Sequence, residues 1–142
     1  MTPKPELYET TQCLCLASRR AARAITRAFD KELRPHGLRA TQFSLLAVLE
    51  LKGPQTIGEL AEVVGADRTT LTRNLALIED QALIRIRPGE DARARMVTIT
   101  PKGRRMLQAA FPGWRKVQAA LSDSIGAGTA DSLRQLTREL RL

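Results

Sequence analysis

Apolar residues recur at helical spacing near both ends of the chain. At the amino-terminal end, a stripe of five predicts a long helix over residues 6–34, which the following Pro-His-Gly would end. That stripe consists of Leu7, Leu14, Ala21, Ile25 and Phe29. At the carboxyl-terminal end, Leu133, Leu136 and Leu140 predict a last helix over residues 129–141. Each of these helices has one apolar face to bury.

The middle of the chain holds shorter segments separated by turn residues. The run over residues 39–51 is nearly all apolar and predicts a helix buried on most sides. Next, Thr56 and Glu59 fit a capping box, in which the threonine caps a helix and the glutamate reaches back, so a short helix should run to about Val64. A tight turn over residues 65–67 follows, and its aspartate can cap a further helix.

That further helix extends to about Asp80 and has two distinct faces. Leu71, Leu75 and Ile78 repeat at helical spacing and predict the inner face. The residues predicted to face outward or to flank the outer face are Arg68, Thr69, Thr70, Thr72, Arg73 and Asn74. Short hydroxyls allow a helix to approach DNA closely, while arginine and asparagine can each make two hydrogen bonds to a base. An ordinary solvated helix face is the alternative interpretation.

Period-two alternation then replaces the helical period. The segments IRIR (Ile84–Arg87) and MVTIT (Met96–Thr100) alternate on either side of the turn PGEDARAR (Pro88–Arg95), which predicts a β-hairpin. Its tip carries guanidinium groups, and the hairpin residues that we expect to contact DNA are Arg87, Asp91, Arg93 and Arg95. We expect the carboxylate of Asp91 to hold the guanidinium of Arg93 by a charge-assisted bond, so that it is preset for a narrow minor groove.

A helix should follow the hairpin directly. Thr100 can cap it and Pro101 suits its first turn. The helix is predicted to run toward Leu121, but it contains Pro112 and Gly113, where we expect a kink or a break.

Two short helices joined by a tight turn and followed by a basic hairpin predict a winged helix-turn-helix. In that arrangement the second helix lies in the major groove and the hairpin, or wing, reaches the adjacent backbone or minor groove. The fold class is therefore mainly α with a small β-hairpin wing.

The charge distribution agrees with a nucleic-acid partner. The 142 residues include 23 Lys and Arg against 15 Asp and Glu, a net charge of +8. Residues 85–105 alone carry seven positive and two negative charges, so the excess is densest on the hairpin and just after it. Such an excess favours polyanions, with nucleic acid first and anionic membrane second. An inert basic protein is the alternative.

Other function classes find little support in the sequence. The single histidine, His36, has no serine or cysteine at a catalytic spacing, and no glycine-rich phosphate loop is present, so we do not expect an enzyme. Neither metal-ligand spacing nor a secretory or membrane-spanning segment is recognisable. We therefore expect a cytoplasmic protein without a metal or other cofactor.

At this point the chain resembles the MarR family of bacterial transcriptional regulators, over essentially its full length. The resemblance is carried by LTRNLALIEDQALIRI (Leu71–Ile86) and by GEDARARMVTITPKG (Gly89–Gly103), which is similar to the family's wing signature of Asp-x-Arg and a strand ending in Thr-x-x-Gly. Ala82 stands where the family usually has glycine, at a left-handed position after the reading helix.

The resemblance implies a homodimer that binds a pseudo-palindromic operator in double-stranded DNA. Residues 1–37 and 104–142 would form the helical dimerisation region, and residues 38–103 the winged helix-turn-helix. The leucine stripe near the carboxyl terminus, which otherwise has no obvious surface to bury against, agrees with a dimer. Family members typically repress a gene cluster and release DNA when a small molecule or an oxidant arrives.

Two kinds of effector remain open. Cys15 matches the reactive-cysteine position of the family's hydroperoxide-sensing branch, and Arg19, one turn further on, would favour a thiolate. Yet the tyrosines of that branch correspond here to Phe29 and Ala40, and Cys13 and Cys15 would point about 200° apart on one helix. Packing of one or both cysteines in the core is the simpler interpretation.

The other candidate effector is a small aromatic or acidic ligand between the dimerisation region and the winged helix, as the resemblance implies. Arg19 or Arg23 would neutralise its carboxylate, with His36, Phe43 and Trp114 lining the space. A solvated basic face and ordinary core aromatics are the alternative. For the function itself, the rival is a nucleoid-type dimer that binds DNA without sequence preference.

Overall fold

The computed structural model describes residues 4–91 and 93–140. The α-helices within this part of the chain are α1 (Leu14–Leu33), α2 (Ala40–Lys52), α3 (Ile57–Val64), α4 (Arg68–Asp80), α5 (Pro101–Ile125) and α6 (Ala127–Glu139). The strands are β1 (Gln55–Thr56), β2 (Ile84–Pro88) and β3 (Arg95–Ile99), and 3-10 helices span Pro5–Gln12 and Arg34–His36. The predicted fold class, mainly helical with a small β wing, is confirmed.

The helix-turn-helix and the wing are packed on one core. Leu71, Leu75 and Ile78 of α4 are at most 1% exposed, as predicted for its inner face, and they contact buried leucines of α2 and α3. The antiparallel sheet has the order β1-β3-β2, so β3 is central and β2 lies at an edge. The hairpin was predicted, whereas the two-residue strand β1 was not, because so short a strand has no period of its own.

The predicted caps form as expected. The Thr56 hydroxyl accepts the backbone N–H of Glu59 at 3.1 Å, and the Glu59 carboxylate accepts that of Thr56 at 3.0 Å, which completes the capping box of α3. The hydroxyl of Thr100 likewise accepts the N–H of Gly103 at 3.0 Å and begins α5. These interactions are local, which is why the sequence predicts them.

The first helix begins later than predicted. Residues Pro5–Gln12 form a 3-10 helix, Cys13 is extended with φ −60° and ψ 121°, and α1 starts only at Leu14. The hydroxyls of Thr10 and Thr11 donate to the carbonyls of Leu7 and Tyr8, each at 2.7 Å and three residues back. Such bonds compete with the α-helical ladder and favour the tighter turn.

The predicted break in α5 is wrong, because the helix runs unbroken through Pro112 from Pro101 to Ile125. A proline inside a helix costs about 3 kcal/mol, since a backbone bond is lost and the ring crowds the preceding turn. Tertiary packing offsets that cost: Ala110 is fully buried, and Gly113 lies so close to α1 that an added Cβ would be 3.2 Å from Cγ of Glu32.

The last helix leaves its apolar face open in the single chain. It begins at Ala127, two residues earlier than predicted, and Ala130 is the buried residue on it. Leu133, Leu136 and Leu140 are 42%, 48% and 67% exposed. In the described part of the chain, no helix is both long enough and apolar enough to cross a membrane.

Candidate nucleic-acid interface

The reading helix α4 starts at a tightly built cap. Asp67 accepts the backbone N–H of Thr70 through Oδ1 at 2.8 Å and the hydroxyl of Thr70 through Oδ2 at 2.9 Å. The backbone bond, followed by the hydroxyl bond, holds the pKa of Asp67 below its ordinary value. The carboxylate thus satisfies the open end of the helix, where backbone N–H groups would otherwise lack partners.

Five of the predicted reading residues are exposed on α4. Because Leu71, Leu75 and Ile78 are buried, Thr69 and Arg73 lie on the opposite side of the helix, and Arg68, Thr70 and Thr72 are exposed to either side of them. Two guanidinium groups and two hydroxyls on one helix can donate hydrogen bonds to base edges or phosphates.

Two of the predicted reading residues also line a cleft. Thr70 and Asn74 line a cleft of about 450 Å³ between α4, α2 and the second half of α1, together with Ile25 and Phe29. The hydroxyl proton of Thr70 is also donated to Asp67. The sequence could not predict this cleft, because the position of α1 beside α4 is decided by tertiary packing.

The wing presents its arginines by strand alternation. Along β2, Ile84 is buried and Ile86 half-buried, while Arg85 and Arg87 are exposed. Arg87 pairs with Met96, and the exposed Arg95 begins β3. Arg85 was missed as a candidate contact, although its alternation with Ile84 and Ile86 in the sequence was enough to place it on the exposed face.

The wing tip is shaped by backbone bonds. Oδ1 of Asp91 accepts the backbone N–H of Arg93 at 3.1 Å, and the carbonyl of Asp91 accepts the N–H of Ala94 at 2.9 Å. Within the described residues Asp91 forms no ion pair with the Arg93 guanidinium, so the predicted charge-assisted bond between these side chains is wrong. A carboxylate two residues before a backbone N–H is well placed for an Asx turn. The carboxylate of Asp91 therefore binds the backbone of Arg93 instead of its guanidinium.

The aromatic candidates for an effector site do meet. The rings of Phe43 and Trp114 stack with centroids 5.9 Å apart, and the ring of Phe111 stacks on Trp114 at 5.7 Å. They line an apolar cavity of about 430 Å³ between α2 and α5, with Leu51 and Leu107 also in its wall.

The charged candidates do not join that cavity. Arg19, Arg23 and His36 are absent from its lining, and Arg23 instead lines a separate hollow along α1 with Arg20 and Arg27. The predicted grouping of these basic side chains with Phe43 and Trp114 is therefore wrong for the single chain. Side chains on the exposed side of α1 cannot reach a cavity formed by α2 and α5.

Both cysteines are exposed free thiols in the single chain, so the prediction that they pack in its core is wrong. Cys15 lies in the first turn of α1, whereas Cys13 precedes the helix in an extended conformation. The expected divergence of about 200° assumed that both residues are helical, and that assumption is wrong for Cys13. In the described residues, no group of three or more His, Cys, Asp or Glu side chains could hold a metal ion.

Known proteins share this architecture. The transcriptional regulator MosR of M. tuberculosis, whose crystal structure was solved in complex with DNA, is 44% identical; the match covers 92% of this chain and 99% of that chain, with a TM-score of 0.81. The transcriptional repressor MprA of Escherichia coli strain K12 is 27% identical over 141 residues, 97% of this chain and 77% of MprA.

A third relative matches over a shorter region. The uncharacterized HTH-type transcriptional regulator YwoH of Bacillus subtilis strain 168 is 32% identical over 80 residues, so the chain spans 58% of the length of YwoH. A family model described as MarR family matches residues 36–94, which include the reading helix and most of the wing. Proteins of this family are DNA-binding regulators and not enzymes, as was predicted for this chain. The chain belongs to the MarR family of winged helix-turn-helix, DNA-binding transcriptional regulators.

Proposed function

We propose that the protein is a sequence-specific repressor that binds a pseudo-palindromic operator as a homodimer. The observation that carries the proposal is the exposed polar surface of α4, on which Thr69 and Arg73 lie opposite the buried inner face and Arg68 and Thr72 are exposed beside them. A protein that only neutralises phosphate has no need for such a polar face on a rigid, capped helix. The DNA complex of MosR and the repressor MprA support the same function.

In this proposal α4 and the wing have different tasks. Arg73 donates two hydrogen bonds to a guanine edge, while Thr69 and Thr72 allow close approach in the major groove. The wing residues Arg87, Arg93 and Arg95 bind phosphates or enter the minor groove, and they supply most of the salt-dependent affinity. Asp91 acts on DNA only through the shape of the tip. Thr70 and Asn74 are placed at the edge of this reading surface, where they also line the cleft.

Unburied apolar surface at both chain ends supports the homodimer. Leu14 is 85% exposed and Leu16 48%, and the α6 leucines are also open. A second copy would cover both faces and place two α4 helices on one side of DNA. Their half-sites would then lie about 34 Å apart, one helical turn of DNA.

Release of DNA would come from one of two triggers. A small, mainly apolar ligand in the 450 Å³ cleft would contact Thr70 and Asn74 and would shift α4 directly. An aromatic ligand in the cavity beside Trp114 would instead act on α2 and α5. Alternatively, oxidation of the exposed thiols of Cys13 and Cys15 would alter the start of α1.

The first experiment selects binding sites from a randomised duplex pool and measures anisotropy on the best duplex and on its scrambled sequence. We expect two inverted half-sites and at least about a thousandfold preference at physiological salt. Arg73→Ala should reduce this preference at one base position of each half-site, whereas Arg93→Ala should weaken binding to both duplexes alike. A ratio near unity would instead support the nucleoid-type dimer.

The trigger is tested on the same selected duplex. Binding is measured with reduced protein, with protein treated with a mild thiol oxidant, and after re-reduction with dithiothreitol. Reversible loss that disappears in Cys13→Ser or Cys15→Ser assigns the switch to that thiol. Binding that is indifferent to oxidation excludes the cysteines as the trigger and leaves a small ligand, to be sought by screening aromatic compounds.

A further inference from the structure

A carboxylate at the end of the reading helix is bonded to the wing. Oε2 of Glu79, the penultimate residue of α4, accepts the backbone N–H of Ile86 at 2.8 Å. Ile86 is the middle residue of β2. An acid on a DNA-reading helix would repel phosphate, and so the role of Glu79 must be something other than direct contact with DNA.

The strand that Glu79 contacts has an open edge. Because the sheet order is β1-β3-β2, β2 has a partner strand on one side only within residues 4–91 and 93–140. Ile86 pairs with Val97, and in an antiparallel ladder alternate residues direct their N–H groups away from the partner strand. The N–H of Ile86 points outward, toward α4, and Glu79 supplies the acceptor that an edge strand lacks.

The other bonds of this junction hold the turn, not the wing strand. The hydroxyl of Thr100, which is 7% exposed, donates to the carbonyl of Ala82 at 2.6 Å, and Nζ of Lys102 donates to the carbonyl of Gln81 at 2.9 Å. Both tie the end of α4 to the start of α5. Among the side-chain hydrogen bonds of the described residues, only that between Glu79 and Ile86 joins α4 to β2.

We propose that Glu79 is a positioning residue for DNA binding, which fixes the wing relative to the reading helix. The proposal rests on the proposed function, in which α4 and the wing arginines bind DNA together. A two-stranded hairpin is weakly stable by itself, and its tip is the part farthest from the core. Holding β2 against α4 sets the direction of Arg87 and Arg93 before DNA arrives, so less orientational freedom is lost on binding.

Four variants separate the hydrogen bond from the charge. Glu79→Ala removes both, Glu79→Gln keeps an acceptor oxygen, and Glu79→Asp keeps the charge on a side chain too short to reach Ile86. Asp80→Ala removes the neighbouring exposed charge alone and is the matched control. Each is measured by anisotropy on the duplex selected with the wild-type protein, and folding is checked by circular dichroism and thermal unfolding.

We expect Glu79→Ala and Glu79→Asp to weaken binding about fivefold to tenfold, the range of one ordinary lost hydrogen bond, because this bond is exposed to solvent. Glu79→Gln should stay within about twofold of the wild type, and Asp80→Ala should bind equally or more tightly, because it removes a charge that repels phosphate. Weaker binding after loss of a negative charge is the opposite of the simple electrostatic expectation.

Double variants show whether Glu79 acts on DNA affinity through the wing or only through the stability of the fold. The loss caused by Glu79→Ala should largely disappear when Arg93→Ala is already present, and should persist beside Arg68→Ala, since Arg68 lies on α4 itself. The slope of log affinity against log salt should also fall by about one for each phosphate contact that the displaced wing loses. A purely structural role would leave the slope of the folded protein unchanged.

The outcomes distinguish a failure of the proposed function from a failure of the role of Glu79. If Arg93→Ala alone leaves affinity unchanged, the wing role in the proposed function is wrong. If Arg93→Ala weakens binding but Glu79→Ala matches Asp80→Ala, or adds independently to Arg93→Ala, the positioning role of Glu79 is wrong. Should Glu79→Ala not fold, Glu79→Asp decides in the same way, and wild-type affinity for that variant overturns the proposal.

Discussion

At the scale of single residues, the backbone of Ala82 is an exception to ordinary stereochemistry. Its φ of 60° lies in the left-handed region, which a residue with a Cβ rarely adopts. The turn nevertheless closes well: the N–H of Ala82 donates to the carbonyl of Glu79 at 2.8 Å, and its carbonyl accepts the hydroxyl of Thr100 at 2.6 Å. The sequence comparison with the family's usual glycine predicted this conformation, and the structure confirms it.

Ala82→Gly should therefore stabilise the protein by about 1 kcal/mol, because glycine adopts positive φ without the Cβ penalty. Urea unfolding of the two proteins measures the difference. Ala76→Gly, at an exposed position within α4, is the matched control and should destabilise by about 1 kcal/mol. A less stable Ala82→Gly variant would contradict the role given to the left-handed turn.

For Asp91 the sequence predicted the partner residue correctly but not the atom that makes the bond. Its importance to the wing tip followed from the sequence, but the bonding group was assigned wrongly to the Arg93 guanidinium. The backbone N–H of Arg93 is the actual donor. The long arginine side chain can adopt many rotamers, whereas the backbone N–H two residues away is always within reach of the carboxylate. The sequence does not show which of the two donors is used, because both belong to Arg93.

At the scale of elements, caps decide where the helices of the DNA-binding region begin. Asp67 accepts both the N–H and the hydroxyl of Thr70, whereas in α3 the side chains of Thr56 and Glu59 each accept the backbone N–H of the other. Each cap acts within four residues, and so the starts of α3 and α4 could be predicted. The Asp67 cap also orders the end of α4 from which Arg68 and Thr69 project.

Because the pKa of Asp67 is lowered on folding, its contribution to stability is fully present above the ordinary value of 3.8 and is lost as pH falls through the folded value. Asp67→Asn keeps a capping oxygen but does not titrate there, and so it should lose less stability over that pH range. Urea midpoints of both proteins at neutral and acidic pH test this. Equal losses in the two proteins would show that the cap carboxylate does not contribute.

Two elements depart from their local signals. The 3-10 helix Pro5–Gln12 replaces the predicted start of α1, because threonine hydroxyls take up backbone carbonyls there. In α5 the departure is the reverse: Pro112 should interrupt the helix, but burial of Ala110 and Val117 against the rest of the fold keeps it continuous. Tertiary packing therefore overrides the local preference in α5, whereas the 3-10 helix, which has no buried residue, follows its local hydrogen bonds.

At the scale of the whole molecule, the single chain leaves part of its apolar surface exposed to solvent. Apolar side chains of the first segment and of α6, including Leu14, Leu133 and Leu136, remain open. An exposed apolar surface of this kind is typical of an interface between chains. The proposed homodimer would cover it with a second copy of the same surface.

Leu136→Glu should convert the proposed dimer into monomers and should weaken binding to the selected duplex strongly, because a charge would be buried without a partner. Sedimentation velocity and anisotropy measure the two effects. Arg138→Glu, two residues along α6 and on the opposite side of the helix, is the control and should remain dimeric. A dimeric Leu136→Glu protein would place the interface elsewhere.

The sequence by itself determined the features that depend on neighbours along the chain. These are the helical and period-two patterns, the caps at Thr56, Asp67 and Thr100, the inner face of α4 and the arginine-rich wing. Each arises from contacts within a few residues, and so a pattern of residue types is enough to predict it. Together they were sufficient for the fold class and for the family.

Only the tertiary structure decided how distant segments meet. It brought Phe43 and Trp114 together but left Arg19 and Arg23 apart from them, and it joined Glu79 to the open edge of β2. Such contacts depend on the packing of whole helices and strands, whose mutual positions follow from the total surface that they bury. No short stretch of the chain carries that information, because the partners lie in different elements.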